Sequence, residues 1–513
     1  MFIKLSQTEK WDFIIIGGGA TGLGTAIEAA SRGYKTLLLE KSDFAKGTSS
    51  RSTKLVHGGV RYLRQGNLSL VLEALKERGI LRRNAPHLVH DLPFIVPNYD
   101  WWEGPFYGIG LKLYDALAGK EGFGPSKLLS KDETLKHIPT IEQEGLRGGV
   151  IYYDGQFDDA RLAINMAETA YEQGATLINY MSVTSLIKDN DMLVGVEAID
   201  LETNKKYTLN AKVIINATGV FTDSIRKMDD LNNHNIIVSG QGVHIVLDKS
   251  FLPGDSAIMV PETDDGRVLF AIPWHDYILV GTTDTPVDNF LIEPIPLEEE
   301  IEFLLSHTAR YLTKDPERSD ILSAFAGLRP LVKSGDDENT AAISRDHTLN
   351  ISRSGLLTIT GGKWTTYRKM AEDTVDQAIQ LAHLDFEESV TKELRINGYH
   401  SHADEFGDLE IYGSDAIAIQ ELLHKQPELN ERLHGNFPIT TGEIVWFVRN
   451  EMARTVDDVL ARRTRMLFKN SKICLEAAPK VAEIMAKELK MDKKWIASQI
   501  IDFENIAKNY LCK

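Results

Sequence analysis

The most constraining stretch of this chain is an apolar run that ends in a glycine turn, DFIIIGGGATGLGTAIEAASRGYKTLLLEK. Its pattern predicts a buried strand over residues 13–16, a helix over about 20–32 and a second strand over 35–39. A strand, a glycine turn, a helix and a second strand in this order form a βαβ unit. The chain is therefore predicted to be an α/β protein that opens with a Rossmann-like domain.

The glycines of this turn have the spacing of a dinucleotide site. Gly17, Gly19 and Gly22 supply a tight turn, a close approach of backbone to a pyrophosphate, and close packing of helix against strand. The N-terminus of the helix adds N–H groups and a partial positive charge. Glu40 ends the second strand, where a carboxylate accepts hydrogen bonds from ribose and repels the 2′-phosphate of NADP. The unit therefore predicts NAD or FAD.

The next segment, GTSSRSTKLVHGGVRYL, favours FAD. An NAD enzyme would continue into another βαβ repeat, whereas this segment is rich in hydroxyls and glycines. We expect Lys54 at the polar edge of the flavin and Gly58 where backbone passes close to the ring. His57 is a noncovalent flavin neighbour in the interpretation we favour, a covalent attachment point or a packed histidine in the others. The hydroxyls suited to a pyrophosphate or ribityl chain are those of Thr48, Ser49, Ser50 and Ser52.

A second cofactor signal is the stretch KVIINATG, an apolar strand that ends in a turn of small residues. Such a strand end can lie against a dinucleotide. We therefore add Ala217 and Gly219 to the predicted cofactor site.

Composition restricts the partners and the compartment. The chain has 513 residues, 74 acidic and 57 basic, with a formal net charge of −17, which argues against a general nucleic-acid binder. Its two cysteines, Cys474 and Cys512, form no disulfide framework or cysteine metal site, so we predict no metal and a reducing compartment. Neither a signal peptide nor an apolar run of ~18 to 20 residues is visible. We expect a cytoplasmic protein that at most lies on a membrane surface.

Distinctive motifs then follow one another along nearly the whole chain. They are IIIGGGATGLG, GTSSRSTKLVHGGVRYL, APHL, LKLYDALAG, DARL, INATG, GVHIV, IPW, GTTDT, GLRPL, ISRDH, GGKWTTYRKMAE and ARRTR. In these motifs and their order the chain resembles the FAD-dependent, respiratory-type glycerol-3-phosphate dehydrogenases.

This resemblance implies a fold in three parts. A Rossmann-like FAD-binding domain, related to that of D-amino acid oxidase, carries an inserted antiparallel-sheet substrate domain and is followed by a C-terminal helical domain. We expect the discontinuous FAD domain over residues 1–90, 150–235 and 345–385. The substrate-binding or cap regions take 91–149 and 236–344, and the helical domain takes 396–513.

The resemblance also implies a reaction, the oxidation of sn-glycerol 3-phosphate to dihydroxyacetone phosphate with electrons passed on to membrane quinone. Oxidation of a secondary alcohol needs hydride transfer to N5 of FAD and a base for the hydroxyl proton. Gly362 and Thr365 join the implied cofactor site. The residues implied to surround the substrate are Arg61, Tyr62, His244, Arg329, Arg345 and Lys363.

Roles within this set follow from side-chain chemistry. Arg329 and Arg345 suit bidentate binding of a phosphate dianion, and Arg61 adds a third contact. His244 is our candidate base because alternation along the strand GVHIV can direct it inward. Lys363 is the rival base and otherwise a partner of the reduced flavin. Each residue also has a purely structural interpretation. His244 could be a core histidine with its hydrogen bonds satisfied. Lys363 could belong to a GGK turn that only precedes a helix capped by Thr365 and Thr366.

Three alternatives stay open from the sequence. An oxidase would pass the electrons to O2, but related oxidases carry an insertion between GLRPL and ISRDH where this chain has only VKSGDDENTAA. An amine-oxidising enzyme of the same fold would need fewer cations. A flavin-binding protein without turnover is the third. The chain also departs from the family at Gln241, where lysine is frequent, and at Val220 and Phe221, which replace Pro-Trp.

Membrane contact and oligomeric state are weaker signals. The stretch NYDWWEGPFYGIGLKLYDALAGK clusters aromatic residues that suit a membrane interface, a quinone groove or an ordinary core. The preceding helix carries four cations that could meet anionic headgroups, Lys76, Arg78, Arg82 and Arg83. Peripheral contact with the inner face of the cytoplasmic membrane and a homodimer are both left open. For Arg462, Arg463 and Arg465 we expect packing or an interface.

Overall fold

A computed structural model describes residues 2–59, 67–264, 266–333 and 346–512 of the chain. The described residues form two large sheets with helices around them, followed by a mainly helical C-terminal region. This is the predicted architecture, a Rossmann-like domain with an inserted, mostly antiparallel sheet and a helical C-terminal region, and the fold class is confirmed.

The first sheet contains the predicted βαβ unit. The strand Trp11–Ile16 pairs in parallel with Thr36–Leu39 on one side and with Lys206–Asn216 on the other. The strands Trp11–Ile16 and Thr36–Leu39 are almost wholly apolar and buried, as expected for parallel strands covered on two faces. In spatial order the sheet runs His347–Ile351, Leu356–Gly361, Lys206–Asn216, Trp11–Ile16, Thr36–Leu39 and Thr176–Ile178, and Met181–Asp189 and Met192–Asp200 extend it beside Lys206–Asn216.

The second sheet is mostly antiparallel and holds the predicted substrate-side strands. Its central strand, Ile237–Asp248, pairs with Ser323–Val332 along ten residues and with Tyr277–Gly281 on the other side. The strand Gly148–Phe157, which the expected boundaries divide between two domains, pairs in this sheet. The remaining members are Leu55–Val56, Val89–Asn98, Lys127–Ser130, Ala257–Val260, Leu269–Trp274 and Thr285–Val287. The exact domain boundaries stay a prediction.

Helices cover both sheets and form most of the C-terminal region. Before residue 400 the described α-helices are Phe2–Gln7, Ala20–Ser31, Leu68–Asn84, Glu103–Ala118, Lys131–His137, Asp159–Glu172, Thr222–Asp229, Glu298–Ala309 and Tyr367–Ala382. After it they are Ala416–Lys425, Thr441–Asn450, Met466–Lys469, Ser471–Leu489 and Lys493–Ala507, with a hairpin of Arg432–His434 and Phe437–Thr440. A π-helical stretch, Asp458–Arg463, precedes the short helix Met466–Lys469.

The arginines of this stretch join the C-terminal region to the first domain. Arg462 and Arg463 are fully buried and both contact Asp43, which lies just after the second strand of the βαβ unit. Arg462 also pairs with Asp457 and Asp458. The two guanidinium groups hold the pKa of Asp43 below its usual value despite its burial. The expectation of packing at an interface is confirmed.

The aromatic stretch folds as the helix Glu103–Ala118 and the turn before it. Its apolar side chains lie outside the core: Trp101 is 77% exposed, Ile109 72% and Phe106 53%. The interpretation of this stretch as ordinary core is therefore wrong for these residues. Among the described residues, no helix is both long and apolar enough to cross a membrane.

The cationic helix Leu68–Asn84 is less available to a membrane than expected. Arg78 is fully buried and donates to Asp154 over 2.6 Å, so its predicted approach to headgroups is wrong. Arg82 and Arg83 are exposed but pair with Asp91 and Glu121. Among the described residues, Lys76 is the one cation of these four that is exposed and forms no ion pair.

Candidate active site

The glycine turn has the backbone geometry that a dinucleotide requires. Gly17 has a φ of 110°, and a Cβ there would lie 2.7 Å from the carbonyl oxygen of Ala217. A Cβ on Gly22 would lie 1.9 Å from the carbonyl oxygen of Gly17. Gly19 occupies the N-cap position of the helix Ala20–Ser31 and has no side chain to cap it. These features fit a cofactor phosphate at the helix N-terminus.

Glu40 braces this turn. Its carboxylate accepts hydrogen bonds from the backbone N–H of Gly18, over 2.6 Å, and of Ser42, over 2.7 Å. Burial raises the pKa of the Glu40 carboxyl, while the two N–H donors act in the opposite direction. The side chain therefore shapes the loop in this structure, and its contact with ribose stays a prediction.

Two consecutive hydroxyls connect the glycine turn to the second sheet. Ser49 Oγ accepts a hydrogen bond from the N–H of Ala20, over 2.9 Å, at the start of the dinucleotide helix. Thr48 Oγ1 donates to the carbonyl oxygen of Leu328 over 2.7 Å. Because Leu328 precedes Arg329, the cofactor turn and the predicted phosphate-binding strand meet at residues 48 and 49.

Lys54 differs from its predicted role. Its side chain is fully buried, and Nζ donates to the carbonyl oxygen of Ser50 over 2.9 Å and to Asp159 Oδ2 over 2.7 Å. Burial lowers the pKa of Lys54 to about 7, Asp159 raises it and Arg465 lowers it further. The expected place at the flavin edge is therefore corrected, because the ammonium is held inside the protein. The surrounding rings are those of Trp274, Phe325 and Phe468.

Gly58 also has a different reason to be glycine. A Cβ there would lie 2.4 Å from the hydroxyl of Tyr114, and the N–H of Gly58 donates to that hydroxyl over 2.8 Å. Tyr114 in turn donates to Asp154. The close approach is thus to a tyrosine of the aromatic helix. Nearby, the N–H of His57 donates to Thr365 Oγ1 over 3.2 Å, which brings together two predicted cofactor residues.

Arg329 and His244 lie on one face of the second sheet. Arg329 pairs with Gly240 across the strands, and His244 follows Gly240 by four residues on the same strand. Because side chains alternate along a strand, residues 240, 242 and 244 point to the same face. The glycines leave room for the guanidinium: a Cβ on Gly242 would lie 2.4 Å from Nη2 of Arg329.

Arg329 is fixed in place by neighbouring groups. Nη1 donates to Asp284 Oδ1 over 2.9 Å, and Nη2 donates to Thr282 Oγ1 over 3.1 Å and to the carbonyl oxygen of Thr283 over 2.9 Å. The arginine side chain is 18% exposed, so it still reaches the open side of the sheet. An oriented, partly accessible guanidinium suits a phosphate.

His244 lies behind this open side. Its Nε2 is 3.0 Å from Thr53 Oγ1, and its ring stacks on Phe325 at a centroid distance of 5.0 Å. The histidine is buried, whereas Thr53 is half-buried. Burial holds the pKa of His244 well below its usual value, and Lys54 and Arg329 lower it further. The ring is therefore neutral at pH 7 and can accept a proton.

Lys363 is half-buried at the turn before the helix Tyr367–Ala382. The adjacent Gly362 has a φ of 73°, and a Cβ there would lie 2.4 Å from Sδ of Met370, so helix packing as well as turn shape requires glycine. Trp364 follows and donates from Nε1 to the carbonyl oxygen of Ser49 over 2.9 Å. This turn therefore lies against the hydroxyl-rich segment.

The expected threonine caps are only partly present. Thr366 occupies the N-cap position of the helix Tyr367–Ala382, but its side chain makes no capping hydrogen bond. Thr366 Oγ1 donates to the carbonyl oxygen of Lys363 over 3.3 Å, and Thr365 is occupied with His57. Thr366 therefore holds the predicted N-cap position without the side-chain hydrogen bond, whereas Thr365 does not cap the helix.

The remaining predicted site residues include two at the end of the strand Lys206–Asn216 and three that the structure does not describe. Ala217 lies beside the glycine turn, because its N–H donates to the carbonyl oxygen of Ile16 over 2.9 Å. Gly219 has a φ of 58°, a backbone conformation that favours glycine. Arg61, Tyr62 and Arg345 lie outside the described residues. Gln241 donates its amide to Glu300 over 2.8 Å, which places a neutral group where the family often has lysine.

Sequence reasoning missed three residues that organise this site: Thr53, Asp159 and Asp284. Thr53 lay within the quoted hydroxyl-rich segment but was not assigned a role. Asp159 follows Asp158, whose side chain accepts a hydrogen bond from the N–H of Arg161 as an N-cap. An aspartate pair at a helix start was the available signal, since only one of the two can cap. Asp284 lies within the quoted motif GTTDT but was not assigned a role.

Comparison with known proteins agrees with this geometry. The family model described as FAD dependent oxidoreductase matches residues 12–368, and that described as C-terminal domain of alpha-glycerophosphate oxidase matches residues 357–495. The mitochondrial glycerol-3-phosphate dehydrogenase of Mus musculus is 42% identical over 522 residues, which cover 95% of this chain and 72% of that protein. Its Homo sapiens counterpart is 42% identical over 525 residues, covering 96% of this chain and 72% of that protein.

A solved structure shows the same arrangement over the full chain. Glycerol-3-phosphate dehydrogenase from Bacillus halodurans, complexed with FAD, is 31% identical with a TM-score of 0.81, covering 99% of this chain and 96% of that one. The glycine turn described above fits this cofactor, and FAD is therefore the cofactor of this chain. The chain belongs to the family of FAD-dependent glycerol-3-phosphate dehydrogenases.

Proposed function

We propose that the protein oxidises sn-glycerol 3-phosphate to dihydroxyacetone phosphate and that the electrons pass on to a quinone. The observation that carries this proposal is the meeting of the glycine turn with Arg329 through Thr48 and Ser49. A phosphate ester held at Arg329 lies beside the cofactor turn and on the same face as His244. The identity of the substrate is inferred from the names of the relatives described above.

Each residue has a task in this proposal. Arg329, oriented by Asp284, binds the phosphate dianion. His244, kept neutral by its burial, takes the hydroxyl proton at Nε2, the ring nitrogen that faces the half-buried Thr53. Lys363 contributes positive charge at the turn that contacts the hydroxyl-rich segment. FAD, held at the turn of Gly17 and Gly22, would supply the hydride acceptor for the substrate carbon.

The quinone acceptor is supported by the exposed face of the aromatic helix. Apolar side chains that cluster on a surface indicate an interaction site. Exposed lysines lie among them at positions 112, 120 and 127, a combination that suits a lipid surface with anionic headgroups. We infer that this face lies on the inner face of the cytoplasmic membrane, where quinone is dissolved. The exposed apolar residues are Trp101, Trp102, Phe106, Ile109, Leu113 and Leu128.

An oxidase is the second candidate because residues 357–495 match a domain model described for an oxidase. The two functions differ in the product of the second half-reaction. The purified protein, loaded with FAD, should be given glycerol 3-phosphate with either a short-chain quinone or dissolved oxygen. The proposal expects dihydroxyacetone phosphate and quinol, with little peroxide. Peroxide formed as fast as quinol would support the oxidase, and no ketone with either acceptor would contradict both.

A further inference from the structure

Among the described residues, Thr53 makes the hydrogen bond to the ring of His244 and is less buried than that ring. The imidazole is buried, and its Nδ1 has no hydrogen-bond partner among the described residues. Its Nε2 lies 3.0 Å from Thr53 Oγ1, and Thr53 is half-buried. A proton that reaches His244 from the open side therefore meets the Thr53 hydroxyl first.

Asp159 holds both neighbours of Thr53. Its Oδ2 accepts hydrogen bonds from the N–H of Ser52 over 3.0 Å, from Ser52 Oγ over 2.7 Å and from Lys54 Nζ over 2.7 Å. The N–H of Lys54 donates to Ser52 Oγ over 3.0 Å, and Lys54 has a φ of 62°. The backbone on either side of Thr53 is thus fixed by one buried carboxylate.

The C-terminal region completes this arrangement. Nη2 of Arg465 donates to Asp159 Oδ1 over 3.0 Å and to the carbonyl oxygen of Ser50 over 2.9 Å. The same carbonyl accepts from Lys54 Nζ. Lys54, Asp159 and Arg465 therefore form a buried clamp, and all three side chains are at most 2% exposed. We refer to these three residues as the Asp159 clamp.

We propose that Thr53 carries the hydroxyl proton of the substrate to His244 and that the Asp159 clamp positions Thr53 for this transfer. The substrate O–H bond breaks as a new O–H bond forms at Thr53 Oγ1. The original Thr53 O–H bond breaks as an N–H bond forms at His244 Nε2. Thr53 is unchanged at the end, and the hydride leaves the substrate carbon separately. This inference rests on the base role of His244 in the proposed function.

The relay requires a hydroxyl group at position 53, and a methyl group in its place should abolish proton transfer. Thr53→Val keeps the shape but cannot pass a proton, so kcat should fall about 100-fold with KM changed less than about threefold. Thr53→Ser restores the hydroxyl and should return kcat to within about tenfold of the wild type. A kcat in Thr53→Val equal to that of the wild type would overturn the relay.

The clamp is tested with two matched lysine variants. Lys46 also forms a largely buried ion pair with the C-terminal region, through Asp457, and its other carboxylate partner is Glu293, outside the clamp. Lys54→Met should lower kcat about tenfold because Thr53 is displaced, whereas Lys46→Met should leave kcat within about threefold. Both variants should unfold at a lower temperature. Equal loss of kcat in the two variants would show a purely structural role and overturn the clamp.

A measurement independent of turnover distinguishes this inference from the proposed function. Protein labelled with 13C-histidine, with His244→Gln to assign the signal, reports the tautomer and titration of His244. Thr53→Val should change the His244 signal, and Thr53→Ser should restore it. An unchanged signal in Thr53→Val would overturn the contact itself. If glycerol 3-phosphate fails to reduce the wild-type flavin, the proposed function fails, and this spectrum still decides whether Thr53 controls His244.

Discussion

Nη1 of Arg329 donates to Asp284 Oδ1 over 2.9 Å, and the pair lies over two glycines of the neighbouring strand, Gly240 and Gly242. A carboxylate beside a phosphate site costs affinity unless it orients the arginine that binds the anion. Asp284 leaves Nη2 with the hydroxyl of Thr282 and turns the guanidinium toward the open side. The pair therefore defines where the phosphate of the substrate is expected.

Replacing Arg329 should weaken substrate use because a lysine cannot form two parallel hydrogen bonds to a phosphate. Arg329→Lys should lower kcat/KM about 30-fold, the effect of about 2 kcal/mol from one charge-assisted hydrogen bond. Steady-state kinetics over a range of glycerol 3-phosphate measure this. Arg353→Lys, at an exposed arginine, is the control and should match the wild type. An unaltered kcat/KM in Arg329→Lys would remove Arg329 from the phosphate site.

The base is identified by the pH dependence of the reaction. Since burial, Lys54 and Arg329 hold the pKa of His244 well below 6.5, its neutral form is present throughout the range from pH 6 to 8. Activity that requires neutral histidine is lost only as pH falls through this lowered pKa. We expect kcat/KM without an acidic limb near pH 6.5, and a loss of about 10²- to 10⁴-fold in His244→Asn. An acidic limb above pH 7 that disappears in Lys363→Met would identify Lys363 as the base instead.

The glycine turn should be intolerant of a single methyl group. A Cβ at Gly22 would lie 1.9 Å from the carbonyl oxygen of Gly17, so Gly22→Ala must push the helix away from the turn. Purified Gly22→Ala should carry much less FAD, measured as the ratio of flavin to protein absorbance. Gly110→Ala is the control because a Cβ there meets no atom within 4 Å. Normal FAD content in Gly22→Ala would contradict the assigned cofactor turn.

Membrane contact should depend on the exposed aromatic helix. Ile109 is 72% exposed on this helix, and Ile109→Glu places a charge where acyl chains are expected. In flotation with vesicles that contain anionic lipid, the wild type should float and Ile109→Glu should remain at the bottom. Ile501→Glu, at a residue 58% exposed on a C-terminal helix, is the matched control and should float. A wild-type protein that does not float would contradict the proposed membrane contact.

The sequence predicted the parts of the site that depend on neighbouring residues. The strand, turn and helix around Gly17 and Gly22 are set by local spacing, and the inward direction of His244 follows from strand alternation. Lys54 was misassigned because its partner, Asp159, lies 105 residues away in the chain. A lysine beside a hydroxyl-rich loop gives no indication of which distant carboxylate will meet it.

Two further differences have the same physical origin. Gly58 was assigned to the flavin, but the hydroxyl that requires glycine there belongs to Tyr114, 56 residues further on. The aromatic run around Trp101 contains both buried and exposed side chains, and its composition fits core and interface equally. Which face of a helix is covered depends on the packing of other elements, and this information is absent from the helix itself.

The most direct test of the central claim is the absorbance of the FAD-loaded protein through the flavin band without oxygen. Glycerol 3-phosphate should bleach the band rapidly, whereas plain glycerol, which lacks the anion that Arg329 binds, should leave it unchanged. A flavin indifferent to glycerol 3-phosphate would contradict the proposed reaction. Equal bleaching by both compounds would contradict the role of the phosphate.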